Sequence, residues 1–332
     1  MAESRMSRLS NQYHAWTRSH PTAAEDFRTA IEDLLNDAGI IFDRVSTRVK
    51  TWSSLKRKAK KRGEGGDFIY PAPWDDIHDV MGVRVTLYHS TIIPNALDVL
   101  GESFKVVRSV DKAAETRISG GFGYGSHHLV LTVTDDSAAA MEELADFVGW
   151  TFEVQIRTVL QHAWAEFEHD IRYKQGPTPP SPEVDRLFTL AAGLIELADQ
   201  QFDEIAALKA PRTEADTDVE LTPETLPGVL AIILGNRFPL SRSEHYRFLA
   251  EILEENDIRS LDQLEQLLDD DAIAHVHDTM RYRFRPGQVR LIDDLLLNKF
   301  GKQHIEATAE SGDRTGRRRR LNARLKALRA NS

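Results

Sequence analysis

The stretch Phe152-Glu153-Val154-Gln155-Ile156-Arg157 decides the fold of this chain. Apolar and polar residues alternate along it, which is the period of a β-strand with one buried face. We expect a carboxylate, an amide and a guanidinium to line up on the solvent-facing side. A strand that only closes a sheet more often shows Thr, Ser or Lys there, so the pattern suggests a functional site. For such a hexapeptide in isolation, a solvated face with a local ion pair is nevertheless the more common explanation.

Other segments indicate what surrounds this strand. Residues 82–88 and 128–133 alternate in the same way, and a helix is predicted between them over 93–100. Thr22 and Glu25 form a capping box, which predicts a helix from Ala23 towards Val45. The sequence therefore predicts an α+β fold in which a mixed β-sheet is flanked by helices.

Two long helices are predicted after the decisive strand. The first starts after Thr158, and its buried stripe is expected to comprise Leu160, Ala163, Trp164, Phe167 and Ile171. Prolines over 177–182 interrupt the helical pattern before the second helix begins. The apolar face of the second helix is expected either to complete the core or to mediate self-association, and it carries Leu187, Leu190, Leu194, Leu197 and Phe202.

The second half of the chain is predicted to be a separate region. An acidic run over 213–220 predicts a linker, and residues 223–305 predict short helices. We place the domains at 20–210, which includes the second long helix, at 221–305 for a helical accessory domain, and at 306–332 for a basic tail. The tail is expected to be disordered, with contact to RNA or another polyanion as the alternative. It holds Arg314, Arg317, Arg318, Arg319, Arg320, Arg324, Lys326 and Arg329.

Composition narrows the class of protein. The chain has 332 residues, of which 41% are hydrophobic and 28% charged, and this suits a soluble protein of two domains. The absence of cysteine excludes disulfides, thiolate zinc sites and a cysteine nucleophile, and it fits a cytoplasmic location. No window has the apolar length of a membrane span. The formal net charge of -10 argues against general coating of nucleic acid.

Four separated segments combine into one candidate site. They contribute Arg48, Lys50, Ser54 and Lys58; Asp79, Gly82 and Arg84; Tyr124, Ser126 and His128; and Glu153, Gln155, Arg157 and Thr158. This order of residues resembles the RelA/SpoT-type nucleotide pyrophosphokinases, specifically the small alarmone synthetases. The downstream part of the resemblance rests on Trp164, Glu168, His169, Tyr173 and Lys174. The resemblance covers roughly residues 40–175 and only the synthetase region, for which it implies a nucleotidyltransferase-like fold.

The resemblance implies transfer of pyrophosphate from ATP to the 3′ hydroxyl of GDP or GTP, which makes ppGpp or pppGpp and releases AMP. ATP would be bound by Arg48, Lys50, Ser54, Lys58 and Arg84. Catalysis would rest on Asp79, Glu153 and Arg84, with Mg²⁺ as the cofactor held by the two acids. Whether Glu153 instead takes the proton from the attacking hydroxyl is left open. The acceptor would be held by Tyr124, His128, Gln155, Arg157 and His162.

Two other functions stay open. The family commonly places a cation directly after the stacking tyrosine, whereas Gly125 stands there in this chain. The second choice is therefore a toxic small synthetase, of the toxin–antitoxin kind, that pyrophosphorylates the 3′ end of tRNA and uses the basic tail as an RNA contact. The third is a catalytically silent nucleotide sensor or RNA-binding module, against which the presence of both Asp79 and Glu153 argues.

Some charged residues are not assigned a functional role. Lys60, Lys61 and Arg62 are expected to lie on a solvated helix face. His162, Glu166 and His169 have the spacing of metal ligands on one helix face, but a zinc site is disfavoured because the sequence offers no further obvious ligands.

Overall fold

The computed structural model describes residues 4–112, 125–174, 181–208, 220–312 and 316–330. The chain divides into two compact units, residues 1–33 with 42–206 and residues 34–41 with 207–332. The first unit begins earlier than the predicted domain at residue 20, because it includes a helix over Arg5–Ser19 that the sequence did not indicate. The second unit is discontinuous in sequence, since the short segment 34–41 groups with it.

The first unit combines a sheet with helices. The strands are β1 (Phe42–Val49), β2 (Met81–Leu87), β3 (Lys105–Asp111), β4 (His127–Thr132) and β5 (Thr151–Thr158). The α-helices described are α1 (Arg5–Ser19), α2 (Ala23–Asp37, whose last turn counts with the second unit), α3 (Trp52–Ala59), α4 (Pro73–Asp76), α5 (Ile93–Ser103), α6 (Asp135–Ala140), α7 (Val159–Lys174) and α8 (Pro182–Leu208). Short 3₁₀ helices lie at His78–Val80, Ser90–Ile92 and Glu142–Phe147.

The strands form one mixed sheet in the order β1-β2-β5-β4-β3. The central pair β2 and β5 is parallel, and the other neighbouring pairs are antiparallel. The predicted mixed sheet is therefore confirmed. The three predicted strands lie within one residue of their expected bounds, whereas β1 and β3 were not predicted.

Strand β5 separates the core from the polar face of the sheet. Phe152, Val154 and Ile156 are completely buried, and the ring of Phe152 lies 4.8 Å from that of Phe27 in α2. Because side chains alternate along a strand, Glu153 is directed to the opposite face. The alternation predicted from the sequence thus positions the candidate site.

Helix α2 ends at Asp37, so the prediction that it continues to Val45 is wrong. Gly39 follows with a φ of +70°, a left-handed conformation that stops the helix. A side chain is also excluded there, since a Cβ would lie 2.8 Å from the carbonyl oxygen of Leu240. The residues that were expected to extend the helix instead form β1.

Helix α7 buries less of its predicted stripe than expected. Trp164 is buried, but Ala163 is exposed and Phe167 is 56% exposed. The neighbouring helix α8 covers the Trp164 side, where the ring of Phe188 lies 5.4 Å from that of Trp164. The prediction of one fully buried stripe is therefore wrong for Ala163 and Phe167.

Helix α8 packs on the first unit through the side that carries Phe188, Asp199 and Asp203. Phe188 is buried, and the buried carboxylate of Asp199 accepts a 2.8 Å hydrogen bond from the hydroxyl of Thr158. One turn on, Asp203 accepts hydrogen bonds from the backbone and hydroxyl of Ser90 at 2.8 and 2.6 Å. These contacts fix the helix with the leucines outward, so the expectation that the leucine face completes the core is wrong, and its alternative, self-association, stays a prediction.

The second unit is helical, as predicted for residues 223–305. Its described helices are α9 (Leu226–Leu234), α10 (Ser243–Glu255), α11 (Leu261–Leu267), α12 (Asp270–Met280), α13 (Gln288–Phe300), α14 (Lys302–Thr308) and α15 (Arg317–Ala330). Helix α13 forms its centre, with Leu291, Ile292 and Leu296 completely buried. None of the helices in the described ranges has the length and apolar character that crossing a membrane requires.

Residues 317–330 form helix α15, so the expectation of a disordered tail is wrong for this segment. Three leucines explain why this segment is an ordered helix. Leu321, Leu325 and Leu328 pack against Leu297 and Ile305. Their spacing of four and three residues places them on one side of a helix.

Two arginines of α15 belong to a buried ionic cluster. Nη2 of Arg317 lies 2.6 Å from Oδ1 of Asp293, and Nη1 of Arg324 lies 2.9 Å from Oδ2. Burial alone would raise the pKa of Asp293, but the hydrogen bond from His304 and the charge and hydrogen bonds of Arg317 hold it well below its ordinary value. The guanidinium groups of these two arginines are therefore engaged inside the second unit.

Candidate active site

Two adjacent rows across the polar face of the sheet hold several of the predicted site residues. The first row comprises Arg48, Gly82 and Glu153, and the second comprises Arg84, Gln155 and His128. Residues that lie opposite each other in neighbouring strands point to the same face. The register of β1, β2, β5 and β4 thus brings four separated sequence segments together.

Gly82 leaves room for the arm of Arg48 between two cavities. A Cβ on Gly82 would lie 3.8 Å from Cγ and 4.0 Å from Nε of Arg48, so the arginine passes over the glycine at ordinary contact distance. Arg48 lines both cavities, which therefore adjoin each other.

The larger cavity has a volume of about 450 Å³ and is rich in cations. The backbone of Lys50 is fixed from two sides, because its N–H donates to Val80 at 2.8 Å and its carbonyl accepts from the hydroxyl of Tyr13 at 3.0 Å. Thr51 caps α3 by accepting a hydrogen bond from the N–H of Ser54. Lysine and arginine in such number suit a polyphosphate. The lining comprises Arg48, Val49, Lys50, Thr51, Ser54, Arg57, Lys58 and Lys61.

Asp79 and Glu153 both line the smaller cavity, of about 110 Å³. Asp79 comes from the 3₁₀ helix His78–Val80 directly before β2, and Glu153 comes from β5, which pairs with β2. Two acids that are distant in sequence therefore face one groove beside the cation-lined cavity.

Two lysines hold one oxygen of Asp79. Nζ of Lys50 lies 2.8 Å and Nζ of Lys58 lies 3.0 Å from Oδ2. The other oxygen, Oδ1, is buried and has no hydrogen-bond partner among the described residues. Because an unpaired buried carboxylate oxygen is costly, this atom marks a position that a ligand such as a metal ion would satisfy.

Glu153 accepts two hydrogen bonds at Oε1, from Nε2 of Gln155 at 2.8 Å and from Nδ1 of His128 at 3.1 Å. Burial opposes its ionisation, but these hydrogen bonds and the charge of nearby Lys58 lower the pKa of Glu153 to about 2. An ionised carboxylate only accepts, so His128 carries a proton on Nδ1. The hydroxyl of Ser126 lies 2.7 Å from the other ring nitrogen, Nε2. The charge of Glu153 is thus oriented from two sides.

Helix α7 brings a third acid to the site. Oε1 of Glu166 lies 2.8 Å from Nη1 of Arg84 and 3.8 Å from Nδ1 of His162. Burial and then the positive charges of Arg84 and Arg157 lower the pKa of His162, while Glu166 acts in the opposite direction. His162 therefore keeps an uncharged ring at neutral pH.

Arg157 is 6% exposed, so the expectation that it faces solvent is wrong. Its Nη2 donates to Oε1 of Gln155 at 2.7 Å, and this bond turns the amide nitrogen of Gln155 towards Glu153. Burial and then the charge of Arg84 lower the pKa of Arg157 to about 10. Its contact with the acceptor stays a prediction.

Residues 47–178 match the model of a family described as "Region found in RelA / SpoT proteins". Over these residues the chain is similar to RelA/SpoT proteins. The chain is 27% identical over 147 residues to the GTP pyrophosphokinase YwaC of Bacillus subtilis, a match that covers 44% of this chain and 65% of YwaC. It is 27% identical over 163 residues to the GTP pyrophosphokinase YjbM of the same organism, which covers 48% of this chain and 70% of YjbM.

Solved structures give a further comparison. The small alarmone synthetase 1 from Bacillus subtilis bound to its product pppGpp has a TM-score of 0.47 and 23% identity, covering 60% of this chain and 100% of that chain. A GTP pyrophosphokinase family protein from Streptococcus pneumoniae has a TM-score of 0.47 and 22% identity, covering 59% of this chain and 93% of that chain.

Most predicted site residues of the RelA/SpoT region lie at the two cavities. His128, Arg157 and His162 lie around them and act on Glu153, Gln155 and Arg84 through hydrogen bonds or charge. Tyr124, the predicted stacking residue for the acceptor base, lies outside the described residues. The cavity residues are Arg48, Lys50, Ser54, Lys58, Asp79, Arg84, Glu153 and Gln155.

Sequence reasoning missed three contributors to the site of the RelA/SpoT region. Glu166 is the ion-pair partner of Arg84, and Arg57 and Lys61 line the larger cavity. Lys61 was expected only to face solvent. Arg57 lies in α3 next to Lys58, and Lys61 lies just beyond the end of that helix, so the run of cations over 56–62 was the signal that could have marked both.

Few side chains in the RelA/SpoT region are candidates for binding a metal ion. Across the ranges that the structure describes, no group of three or more His, Cys, Asp or Glu side chains is arranged to hold a metal ion. Mg²⁺ needs only one or two protein carboxylates, because phosphates and water complete its shell. Asp79 and Glu153 therefore remain the candidate pair.

Proposed function

We propose that this protein is an ATP:nucleotide 3′-pyrophosphotransferase of the GTP pyrophosphokinase type, which converts GDP or GTP to ppGpp or pppGpp and releases AMP. One observation carries the proposal, namely that Asp79 and Glu153 line one cavity that adjoins a cation-lined cavity through Arg48. Phosphoryl transfer depends on positioning and on charge stabilisation, and this arrangement offers both. The relatives YwaC and YjbM bear the name GTP pyrophosphokinase, which supports a guanosine nucleotide as the acceptor.

The reaction joins the acceptor to the β-phosphorus of ATP. The 3′ hydroxyl oxygen forms a bond to that phosphorus, and the bond from it to the α,β-bridging oxygen breaks. AMP leaves with the bridging oxygen, and the hydroxyl proton passes to a carboxylate or to water. Arg48, Lys50 and Lys58 neutralise the polyphosphate during this step. Because Lys50 and Lys58 pair with Asp79 in the structure, the phosphates compete with Asp79 for both ammonium groups.

Glu153 suits a charged role better than full proton abstraction. With a pKa of about 2 it is ionised at neutral pH and is a weak base. Its hydrogen bonds from Gln155 and His128 hold the carboxylate in one orientation towards the cavity. Orientation of the attacking hydroxyl or binding of a cation fits these properties.

Asp79 and Glu153 fit Mg²⁺. The buried, unpaired Oδ1 of Asp79 and the ionised state of Glu153 supply hard oxygen ligands, which Mg²⁺ prefers. When bound there, the ion would neutralise charge on the transferred phosphates.

The structure weakens one argument for tRNA as the acceptor. That alternative used the arginine-rich tail as an RNA contact, but Arg317 and Arg324 of the tail are bound to Asp293 within the second unit. Guanosine nucleotides therefore stay the first choice.

The acceptor is tested with γ-labelled ATP and magnesium against GDP, GTP, ATP and tRNA in parallel. We expect label on GDP and GTP with release of an equal amount of AMP. Label on tRNA alone would overturn the guanosine assignment. Label on none of them, with ATP still bound, would overturn the enzymatic proposal and favour a nucleotide sensor.

The two acids are tested by Asp79→Asn and Glu153→Gln. We expect each variant to release AMP at least about 100-fold more slowly, since each removes charge at the reacting phosphates. Asp75→Asn is the matched control, because Asp75 is an exposed acid four residues before Asp79. Near-normal AMP release from either site variant would contradict the proposed roles.

A further inference from the structure

Helix α1 packs against the helix that supplies several residues of the larger cavity. The described lining of that cavity comes from residues 48–61, of which Ser54, Arg57 and Lys58 belong to α3. Helix α1 contacts both α3 and α4, although it lies before residues 47–178, the part of the chain that matches the RelA/SpoT model. Its polar contacts with α3 lie at the two ends of that helix.

Tyr13 holds the start of α3. Its hydroxyl donates a 3.0 Å hydrogen bond to the carbonyl oxygen of Lys50, two residues before the helix begins. Its ring is 9% exposed and lies 5.6 Å from the ring of Trp52, the first residue of α3. Because the ammonium group of Lys50 extends from this backbone into the cavity, the position of the carbonyl also sets the position of the charge.

Arg5 holds the end of α3. Its Nη2 donates to the carbonyl oxygens of Ala59, at 3.0 Å, and Tyr70, and its Nε donates to that of Pro71 at 3.0 Å. Ala59 is the last residue of α3, where the carbonyl groups form the negative end of the helix dipole and favour a cation. The fork of donors on one guanidinium group lets a single residue bind all three carbonyls.

Arg5 also fixes the turn that follows α3. Its guanidinium group lies 4.0 Å from the centre of the Phe68 ring, and that of Arg62 lies 4.2 Å from the same ring. Within this turn the N–H of Ile69 donates to the carbonyl oxygen of Lys61 at 3.1 Å. The contacts of Arg5 therefore extend to the backbone of a second lysine of the cavity.

The spacing of the two contacts matches the length of α3. Arg5 and Tyr13 are eight residues apart in α1, which corresponds to about 12 Å along the helix axis. Helix α3 also has eight residues, and its start meets Tyr13 while its end meets Arg5. The two helices therefore run antiparallel, and α1 fixes the direction of α3 from both ends. The positions of Arg57 and Lys58 depend on that direction.

We propose that Tyr13 and Arg5 are positioning residues for ATP, which act on its polyphosphate through Lys50 and α3. The inference rests on the proposed function, since it takes the larger cavity as the ATP site. Neither side chain lines the cavity as described. They hold its cations in place before the nucleotide arrives, so that less ordering of these groups has to accompany binding.

The affinity for ATP is tested with α,β-methylene-ATP and magnesium by isothermal titration calorimetry. This analogue has a carbon in place of the bridging oxygen, so it binds without releasing AMP. We expect Tyr13→Phe, which keeps the ring and removes only the hydroxyl, to raise the dissociation constant about 2- to 10-fold, the effect of one hydrogen bond. Arg5→Gln should raise it about 5- to 20-fold, because charge-assisted bonds are lost. Arg8→Gln is the matched control, since Arg8 is exposed on the same helix and its variant should bind as the wild type does.

Steady-state turnover distinguishes positioning from a general loss of structure. Tyr13→Phe should raise the KM for ATP by the same factor as the dissociation constant, and kcat at saturating ATP and the melting temperature should stay close to the wild-type values. A purely structural role would reduce the fraction of active protein, which lowers kcat and leaves KM unchanged. That result would overturn the proposal.

The route through Lys50 is tested by a double-mutant cycle. In the Lys50→Ala background the ammonium group is absent, so adding Tyr13→Phe should change the dissociation constant of the analogue by less than about twofold. The full effect of Tyr13→Phe in that background would show that the hydroxyl does not act through Lys50, and would overturn the proposal.

The binding measurement separates this inference from the proposed reaction. If the wild-type chain binds the analogue and the Tyr13 and Arg5 variants bind it equally well, the inference is wrong and the proposed function stands. If the wild-type chain does not bind the analogue, the assignment of ATP to the larger cavity is wrong, and the inference fails with it. Binding that depends on Tyr13 in a chain that labels no acceptor would support the inference and contradict only the proposed reaction.

Discussion

Gly82 lies directly opposite Glu153 in the parallel pairing of β2 with β5, and the arm of Arg48 occupies the space above the glycine. The missing side chain at position 82 therefore lets one cation reach both cavities. Arg48 could not pass between the two strands' polar side chains if this residue were large.

The space above Gly82 can be tested by filling it. We expect Gly82→Ala to keep near-normal activity, because its Cβ would lie 3.8 Å from Arg48, an ordinary contact. Gly82→Leu should displace the guanidinium and raise the KM for ATP about 10- to 150-fold, the effect of losing a charged hydrogen bond. Steady-state AMP release measures this effect, and Arg48→Ala sets its upper limit. Equal KM values for the Ala and Leu variants would contradict this role of the glycine.

The low pKa of Glu153 predicts a pH-dependent contribution to stability. A pKa lowered from 4.5 to about 2 in the folded chain means that the ionised form stabilises the fold above about pH 4.5 and that this contribution is lost as the pH falls towards 2. Glu153→Gln cannot titrate, so the wild-type advantage in unfolding free energy, up to about 3 kcal/mol, should shrink over this range. Urea unfolding with a magnesium chelator present measures it. A difference that is constant from neutral pH to about pH 3 would contradict the assigned pKa.

The ion pair of Glu166 with Arg84 predicts a change at His162. Glu166 raises the pKa of His162 and Arg84 lowers it, so Glu166→Gln should lower this pKa further below its ordinary value. A histidine NMR titration of the full chain measures the shift, with His162→Asn used to assign the resonance. An unchanged or raised pKa in Glu166→Gln would show that Glu166 does not act on this ring.

The buried cluster in the second unit predicts a large effect on stability. Arg317→Met leaves Asp293 without its closest partner in a buried site, which should reduce the free energy of unfolding by about 3 to 5 kcal/mol. Arg318→Met is the matched control, because Arg318 is exposed on the same helix and its loss should cost at most about 0.5 kcal/mol. Chemical unfolding of the full chain measures both variants. Equal stability of the two variants would show that α15 is not held by the Asp293 cluster.

The central strands were predictable because their environment is regular. Strand β5 is buried on one face, and its sequence alternates accordingly. Strand β3 lies at the edge of the sheet, and Val106 and Val107 are 44% and 52% exposed, so no alternation marked it. The sequence of an edge strand alternates less regularly between apolar and polar residues, because less of the strand is buried.

The predictions that failed depended on contacts distant in sequence. The apolar residues after Gly39 extend a helical pattern on their own, and only the left-handed glycine and the pairing of β1 with β2 determine the strand. The arginines of α15 suggested a solvated tail, because their partner Asp293 lies in α13. In α8 both faces are apolar, so periodicity could not decide which face would meet the core.

The main residues of the candidate site could be predicted because each of them stands within a short sequence motif. Asp79, Arg84 and Glu153 were assigned from the residues beside them and line the smaller cavity together. The contribution of Glu166 could not be seen in the same way, since its contact with Arg84 spans 82 residues. A contact of this kind can be found only once the packing of α7 against the sheet is known.

The discontinuous second unit has a consequence for biosynthesis. Asp37 in the segment 34–41 forms an ion pair with Arg290, 253 residues later in the chain. During translation the early segment emerges long before the helices that pack with it. In a nascent chain, or in one that terminates after the first unit, the segment 34–41 therefore lacks the helices that it packs with in the second unit. The surroundings of this early segment are complete only when the last helices have left the ribosome.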